Sequence, residues 1–178
     1  LFHTLRAAAP ADTVLVEESP SNLAELHTAW PITQPDSFFT FASGSLGWNL
    51  PASVGIALAE RTSGRNRPVL AVIGDGSLQY SIQALWTAAQ QKLPMLFVVP
   101  CNAEYAILKS FAVVEETPGV PGLNIPGLDI VSLGAGYGCH SVSASTPDAI
   151  AAEVKAAFTR TGPTVLAVPI EPSVPPLI

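Results

Sequence analysis

Asp75 stands between two glycines in VIGDGSLQYS (residues 72–81), directly after the apolar run Val69–Ile73. Asn102 follows 27 positions later (102 − 75), just past a second apolar run, Met95–Val99, in the stretch PCNAEY. A carboxylate, an amide oxygen and a backbone carbonyl are hard donors. Together they suit an octahedral Mg²⁺ whose shell is completed by diphosphate oxygens and water. Ser77 offers a hydroxyl and an N–H near the start of the next helix. Gly74 and Gly76 are expected to let the backbone turn sharply and approach a ligand closely. A lone GDG equally suits a carboxylate that caps a helix or shapes a turn. Asn102 shifts the balance, because neighbouring parallel strands set their ends side by side and two oxygen ligands then meet at one cation.

Such a pair needs a parallel sheet to position it. TVLV (Thr13–Val16), VLAVI (Val69–Ile73), MLFVV (Met95–Val99) and TVLAV (Thr164–Val168) are continuous apolar runs of strand length. They fit strands buried on both faces of a parallel sheet. Helices are predicted between them. Pro51–Arg61 opens with a first-turn proline. Ile82–Gln91 carries Ile82, Leu85, Trp86 and Ala89 at helical spacing, with Ser81 as its N-cap. Pro147–Arg160 follows Thr146 as cap and stops at Gly162. This alternation predicts one α/β domain over residues 1–178, an open, mainly parallel sheet with helices on both faces. FFTFASGSLGWN (Phe38–Asn49) reads as irregular. AVVEETPGVPGLNIPGLD (Ala112–Asp129) is too long for an ordinary connection and too apolar for a disordered linker. It is expected to be an ordered loop packed over something.

Composition narrows the function classes. The 178 residues carry a formal charge of −6 and no basic stripe, which argues against nucleic acid. An anionic ligand would need a cation or backbone N–H groups. Only 12% of residues are charged, about half of the roughly 25% usual for soluble domains. Much of the surface is therefore expected to be covered by other domains or subunits. No apolar stretch is long enough for a membrane span. Cys101 and Cys139 are isolated and have no zinc-ligand spacing. They read as buried thiols of a reducing, cytoplasmic compartment. The chain starts at Leu1 rather than Met and reads as a piece of a larger protein. Glu17 and Glu18 follow the first predicted strand, which fits a place near the diphosphate end, but they read in preference as turn carboxylates. His3, His27 and His140 lie outside every motif and receive no catalytic role.

GDGS, a helix, a strand and then Asn102 resemble the diphosphate-binding signature of thiamin-diphosphate-dependent enzymes. The stretches EESPSN, GSLGWNLPASVGIALAE, AVIGDGSLQYSIQALWTAAQ and VPGLNIPGLDIVSLGAGYG extend the similarity over nearly the whole chain. The chain resembles the C-terminal cofactor-binding domain of 2-keto-acid decarboxylases, most nearly the benzoylformate decarboxylase branch. The resemblance implies thiamin diphosphate and Mg²⁺ as cofactors. It makes Asp75 and Asn102 side-chain metal ligands, with Glu104 giving its backbone carbonyl. It places Gly74, Gly76, Ser77 and Ser21 at the diphosphate. Gly44, with Ser45 beside it, would present its carbonyl to the aminopyrimidine, and Leu46 would wedge the cofactor into its bent shape. Tyr105, Ala106, Ile107, Leu108 and Phe111 would line the cofactor or substrate cavity. The family's residues at positions 20 and 104 are typically Thr. Here they are Pro20 and Glu104, which removes one hydroxyl and one N–H donor at position 20. Leu46, Ile107 and Leu108 also fit ordinary core positions, and Glu104 a plain solvent contact.

The implied reaction is non-oxidative loss of CO₂ from a 2-keto acid, giving an aldehyde or, with a second carbonyl, a hydroxyketone. The protein supplies orientation, desolvation and proton transfer. The family's activating Glu and catalytic histidines lie outside the matched region, so no catalytic residue is assigned here. The expected partners are small 2-keto acids or aldehydes, the remaining N-terminal domains, and further copies in a dimer or tetramer. Acetolactate-synthase-like and aldehyde-lyase-like enzymes share the metal motif and stay open, as does a cofactor-binding module with no activity of its own.

Overall fold

In the computed structural model, which describes residues 1–117 and 119–177, the strands are β1 (Val14–Glu18), β2 (Phe38–Thr40), β3 (Val69–Ile73), β4 (Leu96–Cys101), β5 (His140–Ser143) and β6 (Thr164–Pro169). They form one sheet in the order β2-β1-β3-β4-β6-β5, with every pair parallel. The helices are α1 (Phe2–Ala8), α2 (Leu23–Ala29), α3 (Asn49–Thr62), α4 (Asp75–Leu78), α5 (Ala84–Gln90), α6 (Ala106–Val114), α7 (Ile130–Gly136) and α8 (Pro147–Ala157).

The apolar runs are continuous because side chains alternate between two cores. Val69, Ala71 and Ile73 of β3 face one core with Phe97 and Val99 of β4. There they meet Leu50, Val54 and Ala57 of α3, Leu85 and Ala88 of α5, and Ile130 of α7. Leu70, Val72, Leu96 and Val98 face the other, against Leu5 of α1, Leu26 of α2, and Ile150 and Val154 of α8. The four central strands are buried on both faces along almost their whole length, so their side chains are mostly apolar.

Several elements differ from the sequence expectation. β2 lies inside the stretch read as irregular, and β5 carries no apolar run. Both are edge strands and partly exposed, which relaxes the demand for apolar residues. α1, α2 and α7 are only seven residues each, too short for a strong periodic signal. Ser81 does not cap α5, which begins at Ala84. Its hydroxyl instead donates to the Gly47 carbonyl at 2.8 Å. Thr146 does cap α8, accepting from the Ala149 N–H at 3.3 Å, but the helix ends at Ala157. The long Pro/Gly segment yields its first three residues to α6. Beyond them it returns to pair Asn124 with Glu104 in an antiparallel bridge, while most of its described residues are exposed, so the expected packing is confined to that return.

Candidate functional site

The carboxyl ends of β1, β3 and β4 open onto one narrow cleft. The chain runs from β1 to β2 on one side and to β3 on the other, so this is the switch point where open parallel sheets bind ligands. Ser19–Asn22, Leu46, Gly74–Ser77, Pro100, Asn102 and Glu104–Ile107 line the cleft. Of the residues singled out in the sequence, Ser21, Leu46, Gly74, Asp75, Gly76, Ser77, Asn102, Glu104, Tyr105, Ala106 and Ile107 are thus brought together. Gly44 and Ser45 lie outside the lining and are exposed. Leu108 and Phe111 also lie outside it, on the exposed side of α6. The core alternative therefore does not hold for Leu108. Leu46 and Ile107 are half-buried at the cleft wall.

Asp75 joins the two strand tips. Its Oδ1 accepts the Gly76 N–H at 2.9 Å and its Oδ2 accepts the Ala103 N–H, beyond β4, at 2.8 Å. Burial pushes its carboxyl above the usual carboxylate range, and those N–H donors oppose the rise. Ala103 is held at φ 57°, in the left-handed region that L-residues avoid. Asn102 Oδ1 accepts from the Glu104 N–H at 3.2 Å. Backbone bonds from Tyr105 N to Leu123 O and from Ile125 N to Ala103 O flank Glu104. In such a pair the central residue turns its own N–H and C=O to the opposite side. There the N–H meets Asn102.

The glycines act differently from the expectation. Gly74 has φ −58° and ψ 150°, ordinary backbone, and an added Cβ would make only van der Waals contact. Gly76 is required for another reason. A Cβ there would run into the Tyr105 ring, within 2.7 Å of Cδ1 and closer still to Cε1. The ring lies edge-on to Tyr80, centroids 6.4 Å apart.

Glu17 and Glu18 are corrected most. They are not turn carboxylates but the last residues of β1, fully buried. Glu18 accepts the Gly47 and Asn49 N–H groups, each at 2.6 Å. Glu17 accepts the Ser19 N–H at 2.6 Å and the Thr40 hydroxyl at 2.7 Å. Burial holds the Glu17 carboxyl above its usual range. These carboxylates tie the GSLGWN segment and β2 to the tip of β1. The signal was present: two acids directly continuing an apolar run are buried only when they are bonded. Glu104 is likewise no solvent contact, since its side chain pairs with Lys109.

Cys101 and Cys139 are free thiols, each pushed up to about 12 by burial, with the Asp75 charge adding to the effect at Cys101. A second cavity, about 170 Å³, lies at the other end of the strands beside Pro68–Val69 and Leu93–Met95. Its buried acid, Glu60, is satisfied by Arg67 at 2.7 Å and Arg65 at 2.8 Å. No helix among the described residues is long and apolar enough to cross a membrane.

The cleft fits a hard cation with an anionic cofactor. It is a narrow, half-open cleft with about 30 Å³ of space for water-sized groups. That suits an ion, while an organic cofactor would lie mainly outside it. Among the described residues no three His, Cys, Asp or Glu side chains cluster for a metal. The cleft oxygens that could hold a cation are those of Asp75 and Asn102 with the Glu104 carbonyl.

Residues 21–168 match the family described as "Thiamine pyrophosphate enzyme, C-terminal TPP binding domain". The chain is 38% identical over 171 residues to a benzoylformate decarboxylase of Pseudomonas aeruginosa, covering 96% of this chain and 32% of that protein. It is 28% identical over 156 residues to the acetolactate synthase isozyme 1 large subunit of Escherichia coli, covering 83% and 27%. The crystal structure of benzoylformate decarboxylase from Polynucleobacter necessarius superposes with a TM-score of 0.95 at 49% identity, over 99% of this chain and 33% of that one. A thiamine diphosphate-dependent 4-hydroxybenzoylformate decarboxylase of Rhodococcus jostii gives 0.91 at 36%, over 98% and 32%. The chain thus spans about a third of the length of these relatives.

Proposed function

The chain belongs to the thiamine pyrophosphate enzymes, as their C-terminal TPP-binding domain, and from that premise we propose that it forms the Mg²⁺- and diphosphate-holding part of a benzoylformate-decarboxylase-like 2-keto-acid decarboxylase. The observation that carries the reading is the junction of β3 and β4, where Asp75 and Asn102 line one cleft and Asp75 binds the Ala103 N–H. Asp75, Asn102 and the Glu104 carbonyl would hold the cation. Ser21, Gly74, Gly76 and Ser77 would meet the diphosphate, with Gly44, Ser45 and Leu46 at the aminopyrimidine side. Bound there, thiamin diphosphate would supply the electron sink for loss of CO₂ from a 2-keto acid.

The chain's own work is to bind and orient. Glu18 fixes the segment carrying Gly44–Leu46 from below. Tyr105, Ala106 and Ile107 wall the cleft. Leu108 and Phe111, 37% and 51% exposed, would line the substrate cavity only once another domain closes against α6. The groups that move protons would come from the remaining two thirds of such an enzyme and from a partner subunit. The free thiols support a reducing, cytoplasmic setting. An acetolactate-synthase-like activity is the second reading, favoured by the shared metal motif. A substrate screen of 2-keto acids on the full-length protein separates the two.

The test of the site is Asp75→Ala in the full-length protein. Calorimetry should show Mg²⁺-dependent affinity for thiamin diphosphate abolished while circular dichroism stays unchanged. Unaltered affinity would remove the reading.

A further inference from the structure

The segment between β2 and α3 carries Gly44, Ser45 and Leu46, and two consecutive acids pin its ends. Glu17 Oε2 accepts the Thr40 hydroxyl at its start. Glu18 accepts the Gly47 and Asn49 N–H groups at its finish. Gly47, directly after Leu46, is held on three sides. Its N–H is bound by Glu18 at 2.6 Å, and its carbonyl accepts the Ser81 hydroxyl at 2.8 Å. Its φ of 96° lies in the region that favours glycine, and a Cβ there would lie 2.5 Å from Tyr80 Cβ. Tyr80 in turn stands edge-on to the Tyr105 ring that covers Gly76. The stretch from Gly76 to Ser81 therefore touches both the metal-motif turn and the Leu46 segment. Ser81 is 9% exposed, and its hydroxyl caps no helix.

We propose that Ser81 is a positioning residue for the decarboxylation: with Glu18 it clamps Gly47 and thereby fixes where Leu46 stands against the aminopyrimidine side of the cofactor. This rests on the reading above and adds to it a residue outside the cleft lining. Ser81 acts through the backbone of Gly47. A residue bound at both its N–H and its C=O cannot shift without giving up a hydrogen bond. Without the Ser81 hydroxyl, the carbonyl side of Gly47 is free to move, and Leu46 moves with it. A displacement of about 1 Å in a positioning group costs up to about 100-fold in rate. Asp75 and Asn102 keep their own bonds to the Gly76, Ala103 and Glu104 N–H groups, so the grip on cation and diphosphate is spared.

The test uses the full-length protein with thiamin diphosphate and Mg²⁺. Its readout is the rate at which the bound cofactor exchanges its thiazolium C2 proton for deuterium, followed by NMR after acid quench. That rate needs no substrate and depends on how the aminopyrimidine meets the thiazolium ring. Ser81→Ala should slow the exchange about tenfold or more. Calorimetric affinity for thiamin diphosphate should fall by clearly less, and the melting temperature of the cofactor-free protein should stay near that of the parent. Leu46→Ala should slow the exchange as well. Because Ser81 acts through Leu46, the double variant should be no slower than Leu46→Ala alone. An unchanged rate in Ser81→Ala overturns the proposal. So do losses of rate and affinity of equal size, or additive losses in the double variant, because Ser81 would then be a structural strap. If Leu46→Ala slows the exchange and Ser81→Ala does not, this inference alone fails. If Leu46→Ala exchanges at the parent rate, the placing of the aminopyrimidine at Leu46 is wrong and this inference falls with it.

Discussion

Gly76 lacks a side chain because the Tyr105 ring fills the space that one would occupy. The two residues are 29 positions apart and belong to α4 and to the loop after β4, so they lock together the two tips that present Asp75 and Asn102. Overpacking of this kind typically costs about 1–3 kcal/mol. Gly76→Ala should destabilise the protein by that amount in urea titration and weaken thiamin diphosphate binding. Tyr105→Ala clears the ring, so the double variant should lose less stability than the sum of the singles. Strict additivity would mean that the ring does not press on position 76. Gly74 is the instructive contrast, because its φ of −58° demands no glycine.

At the level of elements, the end of β1 organises the cleft. Glu18 spends both carboxylate oxygens on the N–H groups of Gly47 and Asn49, and the Asn49 side chain returns a bond to the Glu17 carbonyl at 2.6 Å. An irregular segment with exposed Gly44 and Ser45 is thereby anchored at its far end and leads into α3. Glu18→Ala would strand two N–H groups, one of them fully buried, at about 1–3 kcal/mol each. Its unfolding free energy should fall by about 2–6 kcal/mol on that basis, measured by denaturant titration of the full-length protein. Glu18→Gln keeps one acceptor and should lose about half as much. A loss below 1 kcal/mol for the alanine variant would show that the segment is held by something else.

For the molecule as a whole, the buried acids set a pH signature. Glu17 is pushed up chiefly by burial, so its carboxyl in the folded state titrates above the ordinary value of 4.5. The folded protein then holds a proton that the unfolded chain has released. That contribution is fully present below about pH 4.5 and is lost as pH rises through the raised value. Glu17→Gln cannot ionise and still offers an oxygen to Ser19 and a donor to Thr40. The melting-temperature gap between this variant and the parent should open in favour of the variant from about pH 4.5 upward. A gap independent of pH would refute the assignment. At the same scale, Trp48 is 65% exposed and Val113 73%, a surface consistent with cover by the domains and subunits proposed above.

The central strands were legible in the residues alone. A segment buried on both faces is apolar wherever its side chains have no bonding partner, and VLAVI and MLFVV are apolar throughout, whereas Glu17 and Glu18 stay buried in β1 because they are bonded. The cleft was legible for a related reason: strand ends are easy to locate, and Asp75 and Asn102 each follow one. Edge strands β2 and β5 and the seven-residue helices left no such mark, since half-exposure and short length permit almost any composition. What the residues could not say was which groups meet across the chain. The burial of Glu18, the reason for Gly76 and the bond from Ser81 to Gly47 each depend on neighbours brought close by folding. Local sequence records whether a residue can be buried. Only the packed structure decides what it is buried against.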